Sequence, residues 1–458
     1  MKVLLIVSTA SVVGGVETWL DRLVAHLELA GEEVVVGLAQ GLQYNNPELF
    51  LAAHPFRRAV AIDGRGLNRE GRVRAIVRAV EGVKPDIVIP LGVVDAFEAV
   101  VRCKSKGQMV RLVVHAQGNL PPMLADLADY KDWIDRVVCP GVLTSRVLVG
   151  ELGFLVNRVC VVPNGADVPT HGWRERPTGT PLRIGYIGRF TRGDKRCLDI
   201  VGLAKALDDI GMPYELVLTG DGPCRQELHD GLASAQGRVR FLGAMKHDAL
   251  YADVFPNLDA LILTSASEAF GIVLVEAMAH GVVPVVSRYA GFRAEGLITE
   301  GVTGLAFPIG EMRDAAQLLQ SLSDDDAMRR QLAAAGVARS QQYTWGRSLR
   351  EWHVALLTVC ANEPAIGAEV PVPPAPSSSG LMDRLKLPEA LKDSIRRMRR
   401  NVAGSVAKSG GEEWPLFRRH HDDAVLARIS TSLQSFDVPQ SDWNQSAERS
   451  GAVAERAQ

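Results

Sequence analysis

At 458 residues the chain exceeds one ordinary domain, so its length predicts two domains with additions. Apolar residues at 47% and charged residues at 23% fit a globular protein with full cores. A formal net charge of −2 gives no global field for nucleic acid, which excludes it as the general partner and requires any basic patch to be local.

Short apolar runs alternate with longer amphipathic ones from the N-terminus onward, the pattern of a parallel sheet with crossover helices. Met1–Ala10 has one Lys and lacks a cleavage pattern, so it reads as a buried first strand. Strands are predicted at Lys2–Ser8, Val34–Ala39, Ala59–Asp63, Asp86–Pro90, Val110–His115, Arg136–Cys139 and Val159–Val162. Helices are predicted at Glu17–Ala30, Arg69–Val83 and Asp95–Lys104. In Arg69–Val83 the residues Val73, Ile76, Val77 and Val80 recur at helical spacing with basic residues between them. Pro163-Asn164-Gly165 marks a turn, and the polar stretch Pro169–Pro181 contains the expected domain boundary.

The pattern then restarts. Strands are predicted at Leu182–Ile187, Tyr214–Thr219, Val239–Leu242, Ala260–Leu263 and Val283–Val286, and helices at Cys197–Ile210, Arg225–Ala235, Ile272–His280, Asp314–Tyr343 and Trp345–Thr358. Gly281 is a natural C-cap. The expected organisation is a domain over 1–175, a second over 176–342, a final helix over 343–362 crossing back to the first domain, a flexible linker over 363–380 and a basic, partly disordered tail over 381–458. From Gly410 onward no clear pattern appears.

The cysteines Cys103, Cys139, Cys160, Cys197, Cys224 and Cys360 have no metal-ligand or redox spacing and read as reduced, mostly buried residues. With no zinc motif and no run of roughly 20 apolar residues, the expectation is a metal-free cytoplasmic protein.

Three loops carry candidate chemistry. In Ser8-Thr9-Ala10-Ser11-Val12-Val13-Gly14-Gly15-Val16-Glu17, two glycines allow close backbone approach and a helix start offers N–H groups to an anion. A tight strand-to-helix turn explains the same residues, and the spacing is not that of a dinucleotide fingerprint. Gly188-Arg189-Phe190-Thr191-Arg192-Gly193-Asp194-Lys195 follows a strand end, where open α/β sheets bind ligands. Arg189 and Lys195 suit a diphosphate, although a solvated basic loop has the same composition.

In the third loop, Ser265 to Met278, Glu268 precedes a helix opened by Ala269-Phe270-Gly271-Ile272, whose N–H groups suit a phosphate or sugar oxygen. Glu276 sits among apolar residues. Burying a lone carboxylate is costly, and a ribose diol is a suitable partner; the alternative is a helix face turned to solvent. His115 ends its strand on the expected ligand edge, where it is either a structural hydrogen-bonder or a group near the reacting sugar.

The segment Ser265–Met278 resembles the E-x7-E motif of the retaining glycosyltransferases of sequence family four, with Glu268 and Glu276 as the two acids. Arg189 and Lys195 resemble that family's diphosphate pair, Gly220-Asp221-Gly222-Pro223 its G-x-G-P loop, and Phe241-Leu242-Gly243 its base-side loop. Gly14-Gly15 with Glu17, Pro163-Asn164-Gly165 with Asp167, and Gly281, Pro284, Gly291, Gly301 and Gly304 resemble its further signatures. The resemblance covers roughly residues 1–360. Two departures stand near the sugar: Ala269 where the family often has Gly, and Ala290-Gly291-Phe292-Arg293-Ala294-Glu295 where it has Gly-Gly and a nearby Glu.

The resemblance implies a GT-B fold of two Rossmann-like domains facing a cleft, and a hexosyltransferase using a nucleoside-diphosphate-sugar. Arg189 and Lys195 would neutralise the diphosphate without a metal or other cofactor. Glu276 would bind the ribose, and Glu268 with the amides of Ala269, Phe270, Gly271 and Ile272 the sugar. Gly14 and Gly15 would close over the phosphate, Gly220, Leu242 and Gly243 would line the nucleotide, and His115 would lie near the donor sugar. The acceptor would be a glycan or lipid-linked glycan of a bacterial-type polysaccharide pathway. The basic segment Leu381–Lys408 either rests on anionic lipid at the inner face of the membrane or is a solvated tether. The competing readings are a catalytically silent GT-B scaffold or partner subunit, and a GT-B epimerase or phosphorylase.

Overall fold

The computed structural model describes residues 1–12, 14–167, 169, 179–235, 237–371, 391, 395, 413–417 and 421–449. The chain forms two compact units, the first of Met1–Cys139, Ser145–Val161 and Leu349–Ser432, the second of Pro140–Thr144, Val162–Ser348 and Leu433–Gln458. The change of unit at Val161 precedes the expected 175/176 boundary. Its cause is local: Ala166 donates to the Tyr343 carbonyl at 2.9 Å and bridges Thr344, which ties the Asn164-Gly165 turn to the second unit.

The first unit is a parallel sheet of seven strands: β1 Lys2–Val7, β2 Glu33–Gln40, β3 Ala59–Asp63, β4 Ile87–Leu91, β5 Arg111–His115, β6 Arg136–Cys139 and β7 Val159–Val161. Its order is β3-β2-β1-β4-β5-β6-β7. Leu4, Leu5 and Ile6 in β1, and Ile87, Val88 and Ile89 in β4, are fully buried. Burial of consecutive residues means that both faces of the sheet are covered. Charged residues of the helix Arg69–Val83 pair with the neighbouring helix Asp95–Ser105. Arg72 pairs with Asp95 at 2.7 Å, Arg102 with Glu70 at 2.6 Å, and Arg69 with Glu98.

The second unit has six parallel strands: β8 Leu182–Ile187, β9 Tyr214–Thr219, β10 Val239–Gly243, β11 Ala260–Leu263, β12 Val283–Ser287 and β13 Leu305–Phe307, in the order β10-β9-β8-β11-β12-β13. Ala260 and Ile262 enter one apolar cluster and Leu261 and Leu263 another, so the alternation along β11 divides two cores across the sheet.

Three sequence expectations need correction. The predicted helix Asp314–Tyr343 is two helices, Met312–Asp324 and Asp326–Ser340, because the Asp325 side chain accepts the Met328 N–H and caps a new start. Residues 363–371 are pinned rather than a free linker. The buried Lys104 ammonium needs oxygen partners and takes the Ala365 carbonyl at 2.9 Å and the Trp133 carbonyl at 2.8 Å, besides the Asp135 carboxylate. Trp133 in turn donates to the Glu369 carbonyl at 2.8 Å.

The third correction concerns the patternless stretch after Gly410, which holds helices at Asp423–Ser435 and Gln440–Arg449. Ile429 and Leu433 are buried. Before them, the Glu413 carboxylate accepts N–H bonds from Leu42, Gln43, Tyr44 and Asn45, and Trp414 donates to the Gln40 carbonyl at 3.1 Å. The basic stretch Leu381–Lys408, read as either a lipid-surface contact or a solvated tether, lies, apart from Leu391 and Ile395, outside the described residues. Among those described, no helix is long and apolar enough to cross a membrane.

Candidate donor-binding site

In a parallel sheet every strand ends on the same edge, so loops distant in sequence meet there. In the second unit the order reverses between β8 and β11, and the loops after these two strands carry the predicted charged residues. Lys195, after β8, places its Nζ 2.6 Å from Oε1 of Glu268, after β11. Glu268 is buried, and the same Oε1 accepts the Ser265 hydroxyl at 2.6 Å. The backbones are stitched as well. Ala266 donates to the Asp194 carbonyl at 2.8 Å, and the Thr264 hydroxyl donates to the Lys195 carbonyl at 2.9 Å.

Arg189 is held differently. Its guanidinium is largely exposed and pairs with Asp194 at 2.7 Å. Burial pushes the Asp194 carboxyl up, but the Thr191 hydroxyl and the charges of Arg189 and Lys195 outweigh it, and the group ends below the usual carboxylate range.

Glu276 lies in the helix Ile272–Ala279 and is buried, which removes the solvent-facing alternative. Its Oε1 accepts the Tyr251 hydroxyl at 2.9 Å and lies 2.8 Å from Nδ1 of His247. An ionised carboxylate can only accept, so His247 presents a proton there. Burial and the Glu276 charge push the Tyr251 hydroxyl far up, keeping it a donor. Both partners come from the helical run His247–Asn257, where no element was expected from the sequence.

The glycines shape the edge. Gly220 has φ +141°, and a Cβ there would stand 1.9 Å from the Gly188 carbonyl oxygen, so only glycine fits. Its N–H donates to the Gly243 carbonyl at 2.8 Å, joining the β9 and β10 loops beside Leu242. Gly271, at φ +84°, turns the chain into the helix beginning at Ile272. Leu274 is the first of this helix to donate backward, to the Gly271 carbonyl at 2.9 Å. The helix therefore does not use the N–H groups of Ala269, Phe270, Gly271 and Ile272. The Phe270 ring is buried against Tyr343 at 5.4 Å, so its side chain serves packing and only its backbone faces the expected task.

The first unit holds the remaining predicted residues. Gly14 is extended and caps a helix that opens at Gly15, ahead of the expected Glu17. A side chain at Gly14 would meet the Glu17 carboxylate at 2.6 Å. His115 ends β5 between the rings of Trp19, 4.4 Å away, and Trp352, 5.0 Å away. Burial pushes its imidazole down to about 3, so it is neutral at pH 7. Nδ1 lies 3.3 Å from the Gln117 amide, and Nε2 is buried without a hydrogen-bond partner among the described residues.

Sequence reasoning missed Asp194, Ser265, His247 and Tyr251. Asp194 and Ser265 stood inside motifs already marked. His247 and Tyr251 had no signal, because only the fold brings them to Glu276. Among the described residues one group has metal-ligand spacing, Asp126, Asp129 and His421 in the first unit, with ligand atoms within 4.8 Å of one another. None of the residues predicted for the donor belongs to it.

Two Rossmann-like parallel-sheet units characterise the GT-B class of fold. The solved structures similar to this chain have that fold. An Anabaena protein, Alr3699/HepE, in complex with UDP and glucose matches with a TM-score of 0.64 at 19% identity, covering 78% of this chain and 99% of its own. Sucrose-phosphate synthase from Thermosynechococcus elongatus matches with a TM-score of 0.66 at 17% identity, covering 79% and 100%. Residues 169–339 match the family described as Glycosyl transferases group 1, and the chain carries that family's segment in its second unit. Among curated relatives, the phosphatidyl-myo-inositol mannosyltransferase of Mycobacterium leprae is 30% identical over 47% of this chain and 58% of its own length. The D-inositol 3-phosphate glycosyltransferase of Corynebacterium urealyticum is 28% identical over 45% and 54%. The chain spans about half the length of the curated relatives it matches.

Proposed function

We propose that this chain is a retaining hexosyltransferase that moves a sugar from a nucleoside-diphosphate-sugar to a glycan or lipid-linked acceptor, without a metal. The observation that carries the reading is the meeting of Lys195 with Glu268 at the switch point of the second sheet. A cation and a sugar-binding acid on neighbouring strands suit a diphosphate joined to a sugar. Arg189 and Lys195 neutralise the charge that develops on the diphosphate as the glycosidic bond breaks. Glu276, oriented by His247 and Tyr251, has lone pairs left to accept the ribose hydroxyls. Glu268 and the amides of Ala269 to Ile272 hold the hexose. His115, neutral and with Nε2 unpaired, suits a hydrogen bond to a sugar oxygen better than proton transfer. The relatives named for inositol-containing acceptors favour a lipid-linked or phosphate-bearing acceptor.

The test is nucleoside diphosphate release from UDP-glucose, UDP-galactose, GDP-mannose and ADP-glucose, with and without chelator. Release from one donor, unchanged by chelator and reduced about a hundredfold or more in Arg189→Ala/Lys195→Ala, is expected. A protein that binds nucleotide but releases none from any donor, with phosphatidylinositol or inositol phosphate present, would favour the silent scaffold. Loss of release on chelation would contradict the metal-free mechanism.

A further inference from the structure

Resting on the donor-site reading above, we infer that Asp437, outside the family segment, is a positioning residue for the sugar-binding loop. Asp437 lies in the turn between the helices Asp423–Ser435 and Gln440–Arg449. That turn is fastened by the Phe436 and Trp443 rings, 5.0 Å apart, and by Val438 donating to the Phe436 carbonyl at 2.9 Å.

The Asp437 carboxylate accepts three backbone N–H bonds from the loop after β12: Gly291 at 3.0 Å, Arg293 at 2.9 Å and Ala294 at 2.7 Å. Charge-assisted bonds of this kind are about twice as strong as neutral ones, and three on one carboxylate fix a loop firmly. This is the loop where the sequence departs from the Gly-Gly pattern, with Ala290 before Gly291.

The same loop supports Glu268. Ser267 and Ala290 form a parallel bridge, Glu268 donates its N–H to the Ala290 carbonyl at 3.3 Å, and Ala290 donates to the Ala266 carbonyl at 2.9 Å. Tyr289, buried one residue earlier, stacks edge-on against Phe292 at 5.9 Å. The linkage therefore runs from Asp437 through the 291–294 amides and Ala290 to the backbone of Glu268. Arg189 and Glu276 share none of these bonds, and Lys195 meets the linkage only one step on, through the Glu268 carboxylate and the Ala266–Asp194 bond. Asp437 thus acts first on the sugar end of the donor and more weakly on the nucleotide end.

The experiment compares wild type, Asp437→Ala and Asp437→Asn in the full chain. Calorimetry measures the affinity for the nucleoside diphosphate and for its sugar conjugate, using UDP with UDP-glucose and GDP with GDP-mannose. Asp437→Ala is expected to weaken the sugar conjugate about tenfold and the bare nucleotide less than twofold, with Asp437→Asn between. Equal weakening of both, or of neither, overturns the inference. Hydrogen exchange of the Glu268 and Ala290 amides decides independently of any ligand. Both should exchange at least about tenfold faster in Asp437→Ala, with Asn restoring part of the protection, and unchanged exchange overturns the inference. If wild type binds no nucleotide, the donor reading fails, while the exchange arm still passes or rejects the linkage.

Discussion

Glu276 shows how a buried acid is made affordable at a residue's scale. The Tyr251 hydroxyl and the His247 N–H compensate its charge, and the remaining lone pairs are what a ribose can use. Glu276→Gln keeps the shape and loses the charge. It is expected to melt within a few degrees of wild type and to bind nucleoside diphosphate at least about tenfold more weakly, by calorimetry beside thermal melting. Equal affinity in a folded Gln variant would remove Glu276 from the site.

His115 makes a different prediction. Its folded pKa lies near 3, against about 6.5 in an unfolded chain. Between those values the unfolded chain takes up a proton that the folded chain refuses. The stability is fully present above pH 6.5 and is lost as pH falls toward 3, by about 1.4 kcal/mol per unit at its steepest. His115→Phe, which can fill the space between Trp19 and Trp352, should flatten that slope. Denaturant midpoints at pH 7, 6 and 5 measure it, and parallel slopes for both proteins would contradict the assignment.

At the scale of the element, the C-terminal segments act as clips. Glu413 gathers the N–H groups of Leu42 to Asn45 beyond β2, and the Asn45 side chain in turn accepts the Thr9 N–H at 3.0 Å, beside the Gly14-Gly15 loop. Glu413→Ala/Trp414→Ala is expected to release residues 413–417 without unfolding the first sheet. Faster exchange of the 42–45 amides with an unchanged core reports it; unchanged exchange there would show that the clip holds nothing.

The strands were legible because parallel strands covered on both faces are written as apolar runs, as in Leu4-Leu5-Ile6 and Val283 to Val286. The Arg189, Lys195 and Glu268 loops were legible because strand ends mark the ligand edge. The helical run at His247 was not, since its amphipathic signal is short and its polar residues find their purpose only against Glu276. The tail helices were hidden for the same reason: Ile429 and Leu433 become core only once the chain has returned to the folded units.

For the molecule as a whole, a formal charge of −2 means that affinity for an anionic donor has to be local. In the proposed reading Arg189 and Lys195 supply it, each already lodged against an acid, Asp194 and Glu268, at the edge where β8 and β11 end. The family match over 169–339 contains both cations and both acids of the site, whereas Glu413 and Asp437, which hold loops in the first and second units respectively, lie beyond it. The chain thus joins a segment that matches this family to a C-terminal region beyond the match.

Calorimetric titration of UDP, GDP and ADP into wild type and Arg189→Ala/Lys195→Ala tests the central claim most directly. The account predicts selective binding of one nucleotide by wild type, weakened at least about a hundredfold in the folded double variant. Equal affinity in the two proteins, or no binding of any of the three to wild type, would contradict it.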